Sequence, residues 1–244
     1  MLFELEATLT LLTLAIAGWF RPWRMLAGPL LSPFLAGVVL LPWFWMLPQM
    51  LPSSVLTGGV SVQLSGACLM TLMLGWPLAV LALSVVAAVV WLAGSWPVDV
   101  WLSQWVWLGL VPAWLVIALG AVLRRWMPAH VFIYILGRGF LGTAFCVFLA
   151  GVLYETAHHL VGGVTLGEAF VARWLMAWGD AFLTGMLVAI FVAFKPEWLA
   201  TWSDRRYLVA PTESTDGAAA PDAAQDGGTP SAITLPPDRP APPP

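Results

Sequence analysis

Two ionisable residues stand inside apolar stretches: Arg138 in YILGRGFLG and Asp180 in AWGDAFLTG. A charge in hydrocarbon is costly and marks either a functional site or a buried pair that holds helices together. Both readings stand for an Arg138–Asp180 charge pair. Gly137, Gly139 and Gly142 surround the arginine, and small residues let helices approach closely. A second constellation is Glu155-Thr-Ala-His158-His159. Glutamate and histidine three or four positions apart share a helix face, and such donors suit zinc, copper, iron or nickel. Glu155, His158 and His159 could form an outer metal-capture site; the alternative is a solvated helix end. His130 reads as interfacial. Cys68, Met70 and Met73 put soft sulfur atoms on one short segment, a set that suits monovalent copper but also serves as ordinary packing.

A third group is polar without being charged. GGVSVQLSGACLMTLMLGWP, residues 58–77, carries Ser61, Gln63 and Ser65 at the mouth of the longest apolar run. These three, with Asp180 as the nearby charge, are the expected lining of a substrate site. Catalytic signatures are missing: there is no HExxH, no GxSxG and no phosphate-binding loop, and no span places a serine beside a general base. The expectation is a protein that is not an enzyme and holds no permanent cofactor.

The elements that must position these residues are membrane helices. The chain has 244 residues, of which 60% are hydrophobic and 9% charged, against about 25% charged in soluble domains. Its mean hydropathy is +0.87. That surface needs lipid, and the sixteen tryptophans suit membrane interfaces. The acids of the C-terminal tail (Glu213, Asp216, Asp222, Asp226 and Asp238) hide a slightly basic body, with no sign of nucleic-acid binding. Cys68 and Cys146 both fall in apolar runs, which argues against a structural disulfide. Glu4 and Glu6 occupy the place where a signal peptide would be basic, so the N-terminus reads as a retained first helix.

Spans are expected near 2–20, 25–47, 60–74, 77–93, 105–123, 131–153 and 174–194, since a crossing needs about 20 apolar residues. Gly75-Trp76-Pro77 breaks the run 60–93, because proline removes a donor and disfavours helix just before it. Two crossings there put Arg21/Arg24, Arg124/Arg125 and Lys195/Arg205/Arg206 on one side, as cytoplasmic basic loops require. The fold expected is an all-α bundle of about seven transmembrane helices, N-terminus outside and C-terminus inside. Residues 1–208 form that domain; 209–244, rich in Pro, Ala and Asp, form a disordered cytoplasmic tail. The fifteen residues 60–74 make about 22 Å of helix, short of a hydrocarbon core of about 30 Å. Irregular backbone is therefore expected at the start of that segment, where it must line a cavity or be buried in protein.

GGVSVQLSGACLMTLMLGWPLAV resembles the metal-site segment of the CbiM-like substrate-binding membrane components of energy-coupling factor transporters. The shared positions are Gly58, Gly59, Ser61, Leu64, Gly66, Leu74, Gly75, Pro77 and Ala79. GDAFLTGMLVAIFVAFKPEWLATWSDRRYL is similar to that family's last span, with Asp180 at its acid and Pro196-Glu197 at its exit. MPAHVFIYILGRGF is similar to the sixth span of a shorter branch of related permeases. The resemblance covers most of residues 55–208. Two departures stand out. The family begins Met-His, whereas this chain begins Met1-Leu2-Phe3-Glu4; and Gln63 occupies the position of a ligand histidine.

The resemblance implies a permease or substrate-binding component of the bacterial inner membrane that takes up a transition-metal ion of the cobalt or nickel class. Its partners would be membrane lipid, a transmembrane coupling protein and cytoplasmic ATPases. Loss of the histidine positions favours an alternative, a non-transporting assembly or regulatory subunit on the same scaffold. A third reading is a transporter of an uncharged small molecule.

Overall fold

The computed structural model describes residues 2–24, 26, 28, 30–50, 63–94, 96–126, 130–159 and 166–202. Among these, seven helical segments occur and no strand. They are α1 (Leu2–Trp19), α2 (Leu31–Met50), α3 (Ala67–Leu74), α4 (Trp76–Ala93), α5 (Val98–Trp126), α6 (Ile133–His158) and α7 (Leu166–Phe194). Five of them, α1, α4, α5, α6 and α7, are long and apolar enough to cross a membrane. Seven spans were expected. The apolar stretch of α2, Leu31–Leu47, is shorter, and α3 has only eight residues, about 12 Å of helix. The tail at 209–244 and the cluster Arg205/Arg206 lie outside the described residues.

The apolar run 60–93 does divide at Gly75, whose φ of 76° and ψ of 156° separate α3 from α4. That backbone region is almost closed to residues with a Cβ, and Pro77 then opens α4 where its missing donor costs nothing. The four residues Gln63–Gly66 are non-helical, in line with the irregular entry expected from length.

The core lies around α3 and the inner face of α4. Ala67, Cys68 and the run Met70–Leu74 are all buried, as are Leu78, Val80, Leu83, Val86 and Val90. A short helix in that position cannot leave its terminal N–H and C=O groups to water. Its C-terminal end is closed by residues beyond α7: Ala200 N–H donates to Met73 O at 2.8 Å, and Thr201 Oγ1 donates to Leu72 O at 2.8 Å. Leu199 and Trp202 are buried beside it, with Trp202 edge-on to Tyr134 at 4.9 Å.

Side-chain contacts fix the helix directions. Glu6 meets Trp107 and Thr13 meets Trp114, so α1 and α5 run parallel. Gly139 lies against Val188 and Gly151 against Arg173, so α6 and α7 run antiparallel. Contacts of Gly120 with Arg138 and of Ser103 with His158 make α5 and α6 antiparallel as well. One end of the bundle thus gathers the ends of α1, α5 and α7 and the start of α6. Arg124 and Arg125 close α5 there, and Trp19, Trp23, Trp126 and Phe132 are exposed there. The outer faces carry exposed Leu11, Leu40, Leu92, Phe145 and Phe182, a surface compatible with lipid contact.

Two helices contain wider, π-helical turns: Trp105–Leu110 within α5 and Ile133–Leu141 within α6. Such turns concentrate at functional sites. Each re-aims side chains that regular periodicity would have placed elsewhere.

Candidate functional site

Asp180 is 2% exposed. Its carboxylate accepts the Ser65 N–H at 2.8 Å and the Gly66 N–H at 3.2 Å. It therefore does for the start of α3 what the residues after α7 do for its end: it satisfies orphan donors, and its charge faces the positive end of a helix. Gly66 takes the left-handed conformation this turn requires, with φ of 61°. Ser65 is held from three further directions. Its Oγ donates to Leu108 O at 2.6 Å, within the first π-helical stretch, and accepts the Ala67 N–H at 3.3 Å. Its carbonyl accepts the indole N–H of Trp45 at 3.1 Å. The entry segment is thus pinned by α2, α5 and α7 together.

On the other side of this segment lies a cavity of about 480 Å³. It sits at the end of the bundle remote from Arg124 and Arg125, and is walled by the first turns of α1, the start of α5, the last turns of α6 and part of α7. Gln63 and Ser65 both line it. Ser61 lies outside the described residues. Asp180 is not part of the wall; it stands behind Ser65 and positions it.

The chemistry of the wall centres on Glu6, which is 3% exposed. Its Oε1 accepts the Trp107 indole N–H at 2.7 Å and lies 3.8 Å from His158 Nε2. The same imidazole nitrogen is 3.3 Å from Ser103 Oγ, while Nδ1 contacts Tyr154 O at 3.0 Å. A donor at Nδ1 would leave Nε2 as the acceptor for the serine hydroxyl. Tyr154 stacks on His158 with ring centroids 4.1 Å apart. Arg173 lies over the other part of this group, 4.7 Å from the Tyr154 ring, and donates to Glu155 Oε1 at 2.9 Å.

Of the outer metal-capture group expected at Glu155, His158 and His159, the two described side chains take separate partners. Glu155 turns to Arg173, and His158 turns inward to Ser103 and Glu6; the His159 side chain lies outside the described residues. Among the described residues no three His, Cys, Asp or Glu side chains converge as metal ligands. The Arg138–Asp180 pair does not form either. Arg138 lies against Gly120 and over the Tyr134 ring at 5.6 Å. Its neighbours Gly139 and Phe140 pack on Val188 and Gly185, roughly 7–12 Å along α7 from Asp180. Cys68, Met70 and Met73 are packing: all are buried, Met70 against Gly37, and Cys68 beside Val116 and Cys146.

The sequence singled out Gln63 and Ser65, which line the cavity, and did not group Glu6, Ser103, Gln104 and Trp107 with them. No span shows a serine beside a base because Ser103 and His158 come from different helices. Acyl transfer by that pair would also need N–H donors at the attacked carbonyl. Of the adjacent donors, Gln104 Nε2 is bonded to Trp45 O at 3.2 Å and Trp107 Nε1 to Glu6, while Trp96 Nε1 has no partner among the described residues.

No protein-family model matches this chain, and neither a curated protein nor a solved structure matches it. The site therefore rests on its own geometry.

Proposed function

We propose that the chain is a multi-pass substrate-binding component of an uptake transporter in the bacterial inner membrane, of the CbiM-like energy-coupling factor kind. The observation that carries this reading is the cavity: the Gln63–Ser65 segment, which bears the sequence resemblance, forms part of its wall. Its volume falls in the range of small-ligand sites, about 300–1,000 Å³. The basic end of the bundle faces the cytoplasm under the positive-inside tendency, with the N-terminus outside, and the cavity then opens outward. Energy would come from a separate coupling protein and cytoplasmic ATPases. The role is non-enzymatic.

A cobalt- or nickel-class ion is the cargo that the resemblance implies, and Glu6 and His158 are the donors best placed to meet one. The size of the cavity favours a second reading, a small molecule as cargo. Uptake of labelled cobalt, nickel and candidate solutes, compared between cells with and without the chain, tests the proposal. A chain-dependent uptake that Gln63→Ala reduces is expected. Equal uptake of every solute in both cells would overturn it. Orientation is checked separately by a C-terminal reporter fusion, which should be active only on the cytoplasmic side.

A further inference from the structure

We propose that Glu6 is the charge anchor of a site for a small organic cation, an ammonium compound with an apolar body. The inference rests on the reading of the cavity as a substrate site, but not on a metal cargo.

Begin with charge. A carboxylate that is 3% exposed needs a partner, since an isolated buried charge is strongly disfavoured. Glu6 has one neutral donor, the Trp107 indole, and a histidine that is charged only when protonated. The guanidinium in the same wall does not pair with it; Arg173 Nε lies 2.9 Å from Glu155 instead. Asp99 adds a second carboxylate to the cavity. Among the described residues the wall thus holds more negative than positive charge, and a ligand that balances it is a cation.

Hydrogen-bonding capacity points the same way. In the wall, Trp96 Nε1 has no partner among the described residues, and neither has the buried Oε1 of Gln104. With Glu6 that oxygen offers acceptors to a ligand that brings N–H donors, as an ammonium does.

Size and surface then separate an organic cation from a metal ion. A first-row ion needs several donors gathered at about 2.0–2.2 Å, and no such group of three assembles among the described residues. A bare ion would also leave most of the 480 Å³ unfilled. The remaining wall includes Phe3, Trp96, Trp107, Val147 and Met176. Apolar groups and aromatic faces accommodate a hydrocarbon body and favour a nearby cation.

The test is titration of the purified full chain in detergent, by calorimetry and saturation-transfer NMR. The probe is phenethylammonium; 2-phenylethanol is the neutral counterpart and nickel chloride the metal arm. Phenethylammonium should bind saturably, and 2-phenylethanol at least about tenfold more weakly. Glu6→Gln should weaken the ammonium by about ten- to a hundredfold, as expected for loss of a charge-assisted contact. The charged-versus-neutral comparison on the unaltered chain needs no variant, so a Glu6→Gln protein that fails to fold does not rescue the proposal. Equal binding of the alcohol and the ammonium, no ammonium binding, or titration by nickel alone would each overturn the organic cation. Nickel titration, or chain-dependent uptake of a metal or neutral solute, would leave the transport reading standing; absence of all chain-dependent uptake would remove that reading itself.

Discussion

Asp180 and Glu6 are buried to nearly the same degree, 2% and 3% exposed, yet they serve opposite ends. Both carboxylate oxygens of Asp180 accept backbone N–H groups of the entry segment. Glu6 has one indole donor, a nearby histidine, and a cavity beside it. A buried acid whose acceptors are filled by its own chain acts as a structural clamp. One that still faces open volume without a fixed cation is available to a ligand. Burial alone does not distinguish them; the origin of the donors does.

The largest expected effect breaks the clamp. Asp180→Ala strands the buried Ser65 N–H and the part-buried Gly66 N–H and should destabilise the protein by roughly 3–5 kcal/mol, read from denaturant or detergent unfolding of the purified chain. Glu6→Gln keeps an acceptor for Trp107 and should change stability by no more than about 1 kcal/mol, its effect appearing in binding. If the two substitutions cost the same stability, the contrast between clamp and ligand site fails.

Next in size is the hinge at the far end of α3. Gly75→Ala should cost about 1–3 kcal/mol from backbone conformation. The nearest side-chain atom to an added Cβ is Ala200 Cβ at 3.9 Å, so crowding contributes little. A neutral result would mean that the break between α3 and α4 is not held in this conformation.

Ser65 belongs to both regions and sharpens the comparison. Ser65→Ala removes the bonds to Leu108 O and from Ala67 N–H, an expected loss of about 1–2 kcal/mol, while the Asp180 contact to its backbone survives. Unfolding of the double variant with Asp180→Ala should be less than the sum of the two losses, because the sites share one segment. Strict additivity would argue that they act independently.

The smallest effect belongs to the ion pair in the cavity wall. Arg173 and Glu155 are 18% and 19% exposed at their side chains. Their pairing should contribute about 1 kcal/mol or less. Glu155→Gln should nevertheless alter ligand selectivity, because it frees a guanidinium to compete for Glu6. A cation titration unchanged by that substitution would place Arg173 outside the electrostatics of the site.

Much of the scaffold was legible from local physics. Hydropathy marked the long apolar helices, and Gly75-Trp76-Pro77 marked the break in the run 60–93, because proline and glycine act on their own backbone whatever surrounds them. Gln63 and Ser65 were legible as polar groups on a segment too short to be an ordinary span. Glu6 was visible only as an argument against a signal peptide. Its role depends on Trp107, 101 positions away, and no periodicity within α1 carries that information. The π-helical turns were equally hidden, since they shift side chains without altering composition.

The sequence by itself therefore determined the class of molecule: helical, apolar on its outer faces, interrupted at one glycine, and polar at the mouth of one short segment. Transfer of apolar side chains from water and the conformational limits of single residues are local quantities, and they read directly from the chain. Only the tertiary structure decided which charges meet. Asp180 finds the backbone of Ser65, 115 positions away, rather than Arg138. His158 leaves Glu155 and joins Ser103 and Glu6. Helix register and packing set those distances, and electrostatic energy falls away within a few ångströms of displacement, so the partners are fixed only when the bundle closes.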